Sequence, residues 1–287
     1  MLNFTGGTIT MMNIAFSPCP NDTFIFHAWV HGLIQDAPQL NVMYADVDIT
    51  NNIATNPDET SPDIMKISYA ALPWVLDKYT LLPCGGALGR GCGPLVLTSQ
   101  PCTPQYLSGK TIAVPSERST AYLLFRLWAA KHVPHGVGKI IVMPFEKIMP
   151  AVQRGEVDAG LVIHEARFTY PSYNLNMLSD LGSWWEQDTG LPIPLGAIVA
   201  KRGMDTEAIN NWIRQSLNYA WKHPDASEEY IMSHAEEMSH EVTRAHIELY
   251  VNQFSYELGE DGYGAIKALL GRAAQEGLLP AIDLSKL

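Results

Sequence analysis

The chain has 287 residues, 47% of them hydrophobic, which is ample for one large core or two smaller ones. Its 19 Lys+Arg stand against 30 Asp+Glu, a net charge of −11. That balance argues against sequence-independent nucleic-acid binding and against docking on an anionic membrane surface, since both rely on clustered Lys and Arg.

No apolar run approaches the ~20 residues a membrane helix needs, and residues 1–10 carry neither Lys, Arg nor the apolar centre of a secretory signal. Cys19, Cys84, Cys92 and Cys102 form no C-x-x-C pair, so they read as reduced thiols in a cytoplasmic protein.

Residues 1–11 read as an extension, because Met11 and Met12 directly precede the first strand pattern, at 13–16. The turn Ser17-Pro18-Cys19-Pro20-Asn21-Asp22 leads into a helix over 23–31, which Asn21 or Asp22 can cap and Gly32 can end. Strands follow at 40–47 and 63–67, then a helical stretch at 69–77. Strands at 79–84 and 95–98 flank a glycine-rich turn, and residues 101–108 form a proline-bounded connector. A second series begins with a strand at 111–114. It continues with a helix at 119–131, a strand at 139–142, a helix at 145–154 and a strand at 159–163. A buried strand at 195–200 precedes four helices, at 205–222, 225–234, 239–251 and 263–276. This alternation predicts α/β architecture. Two such blocks predict two lobes, 12–98 with 195–287 and 99–194, which cross at 95–98 and 195–200 and hold a ligand between them.

Three sites stand out. His164 follows the strand pattern Gly160-Leu161-Val162-Ile163, where open α/β sheets place ligands, and its ordinary pKa suits a general base. The competing use is a histidine that merely satisfies loop carbonyls, and Glu165 and Arg167 beside it keep both readings open. Ser119-Thr120 opens a helix after a strand, a natural anion site to which two hydroxyls and Arg118 can add, although serine at such a position is also an ordinary cap. In Lys66-Ile67-Ser68, Lys66 and Ser68 share one face of a strand end and can meet one ligand, or solvent.

Other chemistries fail on spacing. The position four residues after His164 is Phe168, so no H-E-x-x-H zinc helix forms. His234, His240 and His246 read as surface residues of the C-terminal helices. The run from Gly85 to Pro94 lacks the ending of a phosphate loop, and Cys19 between two prolines reads as structural. No G-x-S-x-G elbow is present.

Several segments together resemble the 1,4-dihydroxy-6-naphthoate synthase family of the futalosine route to menaquinone. They are Ser17-Pro18-Cys19-Pro20-Asn21-Asp22-Thr23-Phe24, Lys66-Ile67-Ser68-Tyr69-Ala70-Ala71, Gly85-Gly86-Ala87-Leu88-Gly89-Arg90-Gly91 and Ser119-Thr120-Ala121-Tyr122. To these are added Ile163-His164-Glu165-Ala166-Arg167-Phe168-Thr169-Tyr170-Pro171 and Trp184-Trp185-Glu186 with Gly190-Leu191-Pro192. The resemblance implies a two-lobed, type II periplasmic-binding-protein-like α/β fold. It implies a lyase that converts cyclic dehypoxanthine futalosine to 1,4-dihydroxy-6-naphthoate. By the same resemblance His164 is the proton acceptor, Lys66, Ile67, Ser68, Thr120 and Ala121 contact a small anionic substrate, and neither metal nor organic cofactor takes part. Chorismate dehydratase of the same route and a non-catalytic solute-binding protein are the alternative readings.

Overall fold

The computed structural model describes residues 11–235 and 239–287. Of the expected extension only Met11 falls within them. Strands β1 (Met11–Phe16), β2 (Gln39–Tyr44), β3 (Ile64–Ser68), β4 (Tyr79–Leu81) and β5 (Ala87–Gly89) belong to a first sheet. A second sheet takes β6 (Leu95–Thr98), β7 (Ile112–Val114), β8 (Ile140–Val142), β9 (Ala159–Val162) and β10 (Asn176–Asp180). The chain then returns to the first sheet as β11 (Ile193–Lys201).

The first sheet runs β2-β1-β3-β11-β4, with β5 also on β11; the second runs β10-β6-β9-β7-β8. In the first, β1 lies parallel to β2 and β3, and β11 lies antiparallel to β3, pairing Gly196 with Ser68 and Ile198 with Lys66.

Strand parity divides the first core. Ile14, Phe16 and Ile64 enter one hydrophobic cluster with Phe26, Trp29 and Ile213. Ala15, Met65 and Ile67 enter another on the opposite face, with Val199, Ile266 and Leu270. Lys66 and Ser68 share the parity of Ile64, so the end of β3 turns polar on that face alone. The helix Pro20–Val30 is buried from Pro20 to Trp29, its apolar Phe24, Phe26 and Trp29 packed in the cluster of the first sheet and helix Thr206–Lys222, while polar Asn21 and Asp22 in its first turn face the cavity between the sheets. Helix Thr206–Lys222 starts where Asp205 accepts from the Ala208 amide, and helix Thr120–His132 starts where Ser119 accepts from the Tyr122 amide.

Several boundaries differ from the sequence expectation. Cys19, not Asn21 or Asp22, is the N-cap of the first helix, with Pro20 in its first turn. β2 ends at Tyr44, and residues expected to prolong it open a helix at Val47–Thr55. The glycine-rich segment contains β5. Both expected crossings lie wholly within one sheet: Leu95–Thr98 pairs with β9 and β10 in the second and residues 195–200 pair with β3 and β4 in the first, so the chain crosses at residues 90–94 and returns between β10 and β11. There Gly91 N–H donates to Glu186 (2.7 Å) and the Arg90 guanidinium donates to the Gly190 carbonyl (3.0 Å). A Cβ on Gly93 would stand 2.1 Å from the Gly182 nitrogen, which only glycine avoids. No helix among the described residues is long and apolar enough to cross a membrane.

Candidate active site

The cavity between the two sheets is walled from both sides. Ser17, Asp22, Lys66 and Ser68 come from the first sheet and the helix behind it; Ser119, Thr120, Ala121 and His164 come from the second; His246 and Tyr250 come from the helix His240–Tyr250. The structure therefore gathers His164, Lys66, Ser68, Thr120 and Ala121 around one space. Ile67 is the exception: its side chain is fully buried in the core of the first sheet, on the face opposite Lys66 and Ser68, and it does not line the cavity.

His164 follows β9 and Ile163 with a backbone φ of +56°, the left-handed region that non-glycine residues seldom adopt. Its ring meets Phe145 edge-on (5.5 Å between centroids) and lies nearly parallel to His246 (6.5 Å, 13°). Its Nδ1 is 3.3 Å from the Cys19 sulfur. Ser17 Oγ is 3.0 Å from that sulfur and 2.8 Å from the Asp46 carboxylate.

A serine has one hydroxyl proton, and a carboxylate can only accept, so Ser17 donates to Asp46. The Cys19 sulfur thus lies between Ser17 Oγ and His164 Nδ1, and His164 Nε2 meets no protein partner among the described residues. The thiol stays protonated because burial, reinforced by the carboxylates of Glu165 and Asp46, pushes its pKa well above the ordinary value. Cys19, Asp46 and His164 offer ligand atoms within 4.8 Å of one another, a compact donor set. A cation there would have to displace the thiol proton, since the metal-bound form of cysteine is the thiolate.

Lys66 is buried and ion-paired with Asp22. Its stem passes over Gly196, where a Cβ would stand 2.6 Å from Lys66 Cε. Ser68 is held by Asn51, which accepts from the Ser68 amide (2.8 Å) and lies 3.0 Å from its hydroxyl.

The anion site at Thr120 is built differently from the sequence expectation. Ser119 Oγ donates to the Ser116 carbonyl (2.9 Å), and Thr120 Oγ1 donates to the Leu195 carbonyl (2.9 Å) while accepting from the Ala70 amide (3.1 Å). Both hydroxyl protons are committed to protein, and Arg118 reaches Asn52 and Thr55 on the outer surface. What remains for an anion is the pair of first-turn amides, Thr120 and Ala121, which lack helical acceptors. Arg167, beside His164, binds the Gly93 carbonyl (2.9 Å) and Asp180 (2.5 Å) and so ties the His164 loop to the crossing.

His246 is a second correction. It is 1% exposed, not a surface residue, and its Nε2 lies 3.0 Å from Asn21 Oδ1. The sequence signal for it was the i, i+3, i+7 set Thr243, His246 and Tyr250, the buried face of its helix.

The described chain is similar to proteins of known family. The profile of a family described as menaquinone biosynthesis matches residues 12–275. A relative from Streptomyces coelicolor, a 1,4-dihydroxy-6-naphthoate synthase, is 59% identical over 94% of this chain and 95% of its own. One of the same name from Thermus thermophilus is 45% identical over 93% and 95%. A crystal structure from Archaeoglobus fulgidus superposes with a TM-score of 0.86 at 32% identity, covering 94% of this chain and 98% of its own. The periplasmic aliphatic sulphonate binding protein of Escherichia coli shares the fold at a TM-score of 0.67 and 11% identity, over 96% of this chain and 91% of its own. With the profile spanning nearly the whole chain and close relatives along its length, the chain belongs to the menaquinone biosynthesis family.

Proposed function

We propose that this protein is a 1,4-dihydroxy-6-naphthoate synthase, a carbon–carbon lyase that fragments cyclic dehypoxanthine futalosine in the cytoplasm. One observation carries the base assignment: His164 is held in a left-handed turn on the cavity wall, with Nδ1 3.3 Å from the Cys19 sulfur and Nε2 without a protein partner among the described residues. The names of its relatives support the reaction class.

In this reading Nε2 takes a proton from the bound substrate. The released electron pair drives cleavage of a carbon–carbon bond, the sugar-derived fragment departs, and the remainder becomes an aromatic naphthalene ring, so the gain in aromaticity comes from the substrate itself. The protein positions the reactants and excludes water. The substrate carboxylate sits against Lys66, Ser68 and the amides of Thr120 and Ala121; each charge-assisted hydrogen bond there contributes roughly 1.5–3 kcal/mol.

Purified protein incubated with cyclic dehypoxanthine futalosine should develop the naphthalene chromophore, and chorismate should remain unchanged. Consumption of chorismate instead would assign the dehydratase reaction. Tight binding of either compound without turnover would leave a binding protein.

A further inference from the structure

A thiol, a carboxylate and an imidazole meet at the cavity wall. One ligand atom each from Cys19, Asp46 and His164 lies within 4.8 Å of the others, and the Cys19 sulfur is 3.3 Å from His164 Nδ1. A tetrahedral zinc ion, with bonds of about 2.3 Å to sulfur and about 2.0–2.1 Å to nitrogen, sets those two atoms about 3.6 Å apart, so the spacing needs little adjustment. Two of the three residues are held without any ion. Cys19 is 6% exposed and caps the first helix between two prolines. Asp46 caps helix Val47–Thr55 and is fixed by Ser17 Oγ at 2.8 Å. His164 arrives from the other sheet, so the set spans the two walls.

The donors select the ion. Thiolate, imidazole and carboxylate together suit a borderline-soft divalent cation such as zinc; magnesium and calcium take oxygen ligands. Three protein ligands leave a fourth position open, unlike a closed structural site. The carboxylates of Glu165, Asp46 and Asp22 all act on Cys19, and a field of that sign favours a cation.

We propose that Cys19, Asp46 and His164 form an inhibitory site for a zinc-like cation. On binding, the Cys19 thiol loses its proton to solvent, and the thiolate, the carboxylate and His164 Nδ1 each give an electron pair to the ion. A neutral imidazole has one lone pair. With that pair on the ion at Nδ1, the ring proton sits on Nε2, which can no longer accept another. The ion switches the base off and leaves the anion site at Lys66 and Thr120 open. It is an inhibitor and not a cofactor, so turnover does not need it. The inhibition, though not the site, rests on the reading of His164 as the base.

Co2+ probes the site and Zn2+ its effect. Titration of the metal-free protein with Co2+ should develop a thiolate-to-cobalt charge-transfer band in the near ultraviolet, which Zn2+ removes. The band should vanish in Cys19→Ser and persist in Cys102→Ser, a thiol outside the cavity. Calorimetry should find Zn2+ bound about 10-fold or more weakly in Asp46→Asn and His164→Asn, since even groups that only support a metal ligand are worth that much. In the parent, Zn2+ should lower kcat over the range in which it binds, with KM little changed, and a chelator should reverse the loss. No band in the parent, or a band that survives Cys19→Ser, would overturn the site and leave the base assignment standing. A Cys19-dependent band with full turnover at saturating Zn2+ would instead overturn the base assignment, and the inhibition with it.

Discussion

Replacement of Asp22 by Asn is expected to damage the protein out of proportion to its size. The two side chains differ by one atom and have nearly the same shape. Asp22 and Lys66 are, however, 3% and 4% exposed, so the variant leaves an ammonium in the interior without a counter-charge. Breaking a buried pair from one side costs about 3–5 kcal/mol. For 287 residues the unfolding entropy is about 0.6 kcal/mol per degree, so the melting temperature should fall by ~5–8 °C. Lys66→Met should cost a similar amount, since it strands the carboxylate. The double variant Asp22→Asn, Lys66→Met removes both charges and keeps the volume, and it should recover part of the loss. Thermal unfolding followed by circular dichroism measures all four corners of this cycle. Single-variant shifts under ~2 °C, or a double-variant loss equal to the sum of the singles, would refute the view that the pair is energetically coupled.

Three further outcomes are expected. His164→Asn should fold as the parent does, because asparagine tolerates a φ of +56°, and it should bind substrate while turnover falls by about 10²–10⁴; near-parental turnover would move the base elsewhere. His246 and His27 are held neutral by burial, with pKa values pushed down to about 3 and about 4 from 6.5, so the unfolded chain binds more protons than the folded one between these values. Stability should therefore be fullest above pH 6.5 and decline as pH falls toward 4, less steeply in His246→Gln; a melting temperature that stays flat over this range contradicts the assignment. Dialysis against a chelator should leave turnover unchanged, and activity lost and then restored by zinc would reassign Cys19, Asp46 and His164 as ligands.

The site was legible wherever local periodicity carries the information. Parity alone put Lys66 and Ser68 on one face, and the strand pattern before His164 put it at a carboxyl end. Contacts between distant segments were not legible. Asn21 reads as a cap in a proline turn, and only the fold brings it to His246, 225 residues on. His246 itself sits among His240, Glu241, Arg244 and Glu248, and that polar company disguises the one face that is buried. The helix Val47–Thr55 was hidden for a different reason: Val47, Ile49, Thr50 and Ile53 are β-branched and favour strands, and packing overrides that preference. The hydroxyl of Thr120 shows the limit at atomic level, since its sequence position is right for an anion site but its proton is spent on Leu195.

The two passages between the sheets are not independent threads. Just before the outgoing chain leaves, β5 is laddered to β11, pairing Gly89 with Ile193 and Leu88 with Pro194. Arg90 and Gly91 then fasten the outgoing chain to Gly190 and Glu186 on the returning side. Two strands joined edge to edge act as one strap rather than two strings: neither passage can slide along its length without dragging the other. The sheet that carries Lys66 and the sheet that leads to His164 are thus held together by a single band of chain, made of segments about 100 residues apart in sequence.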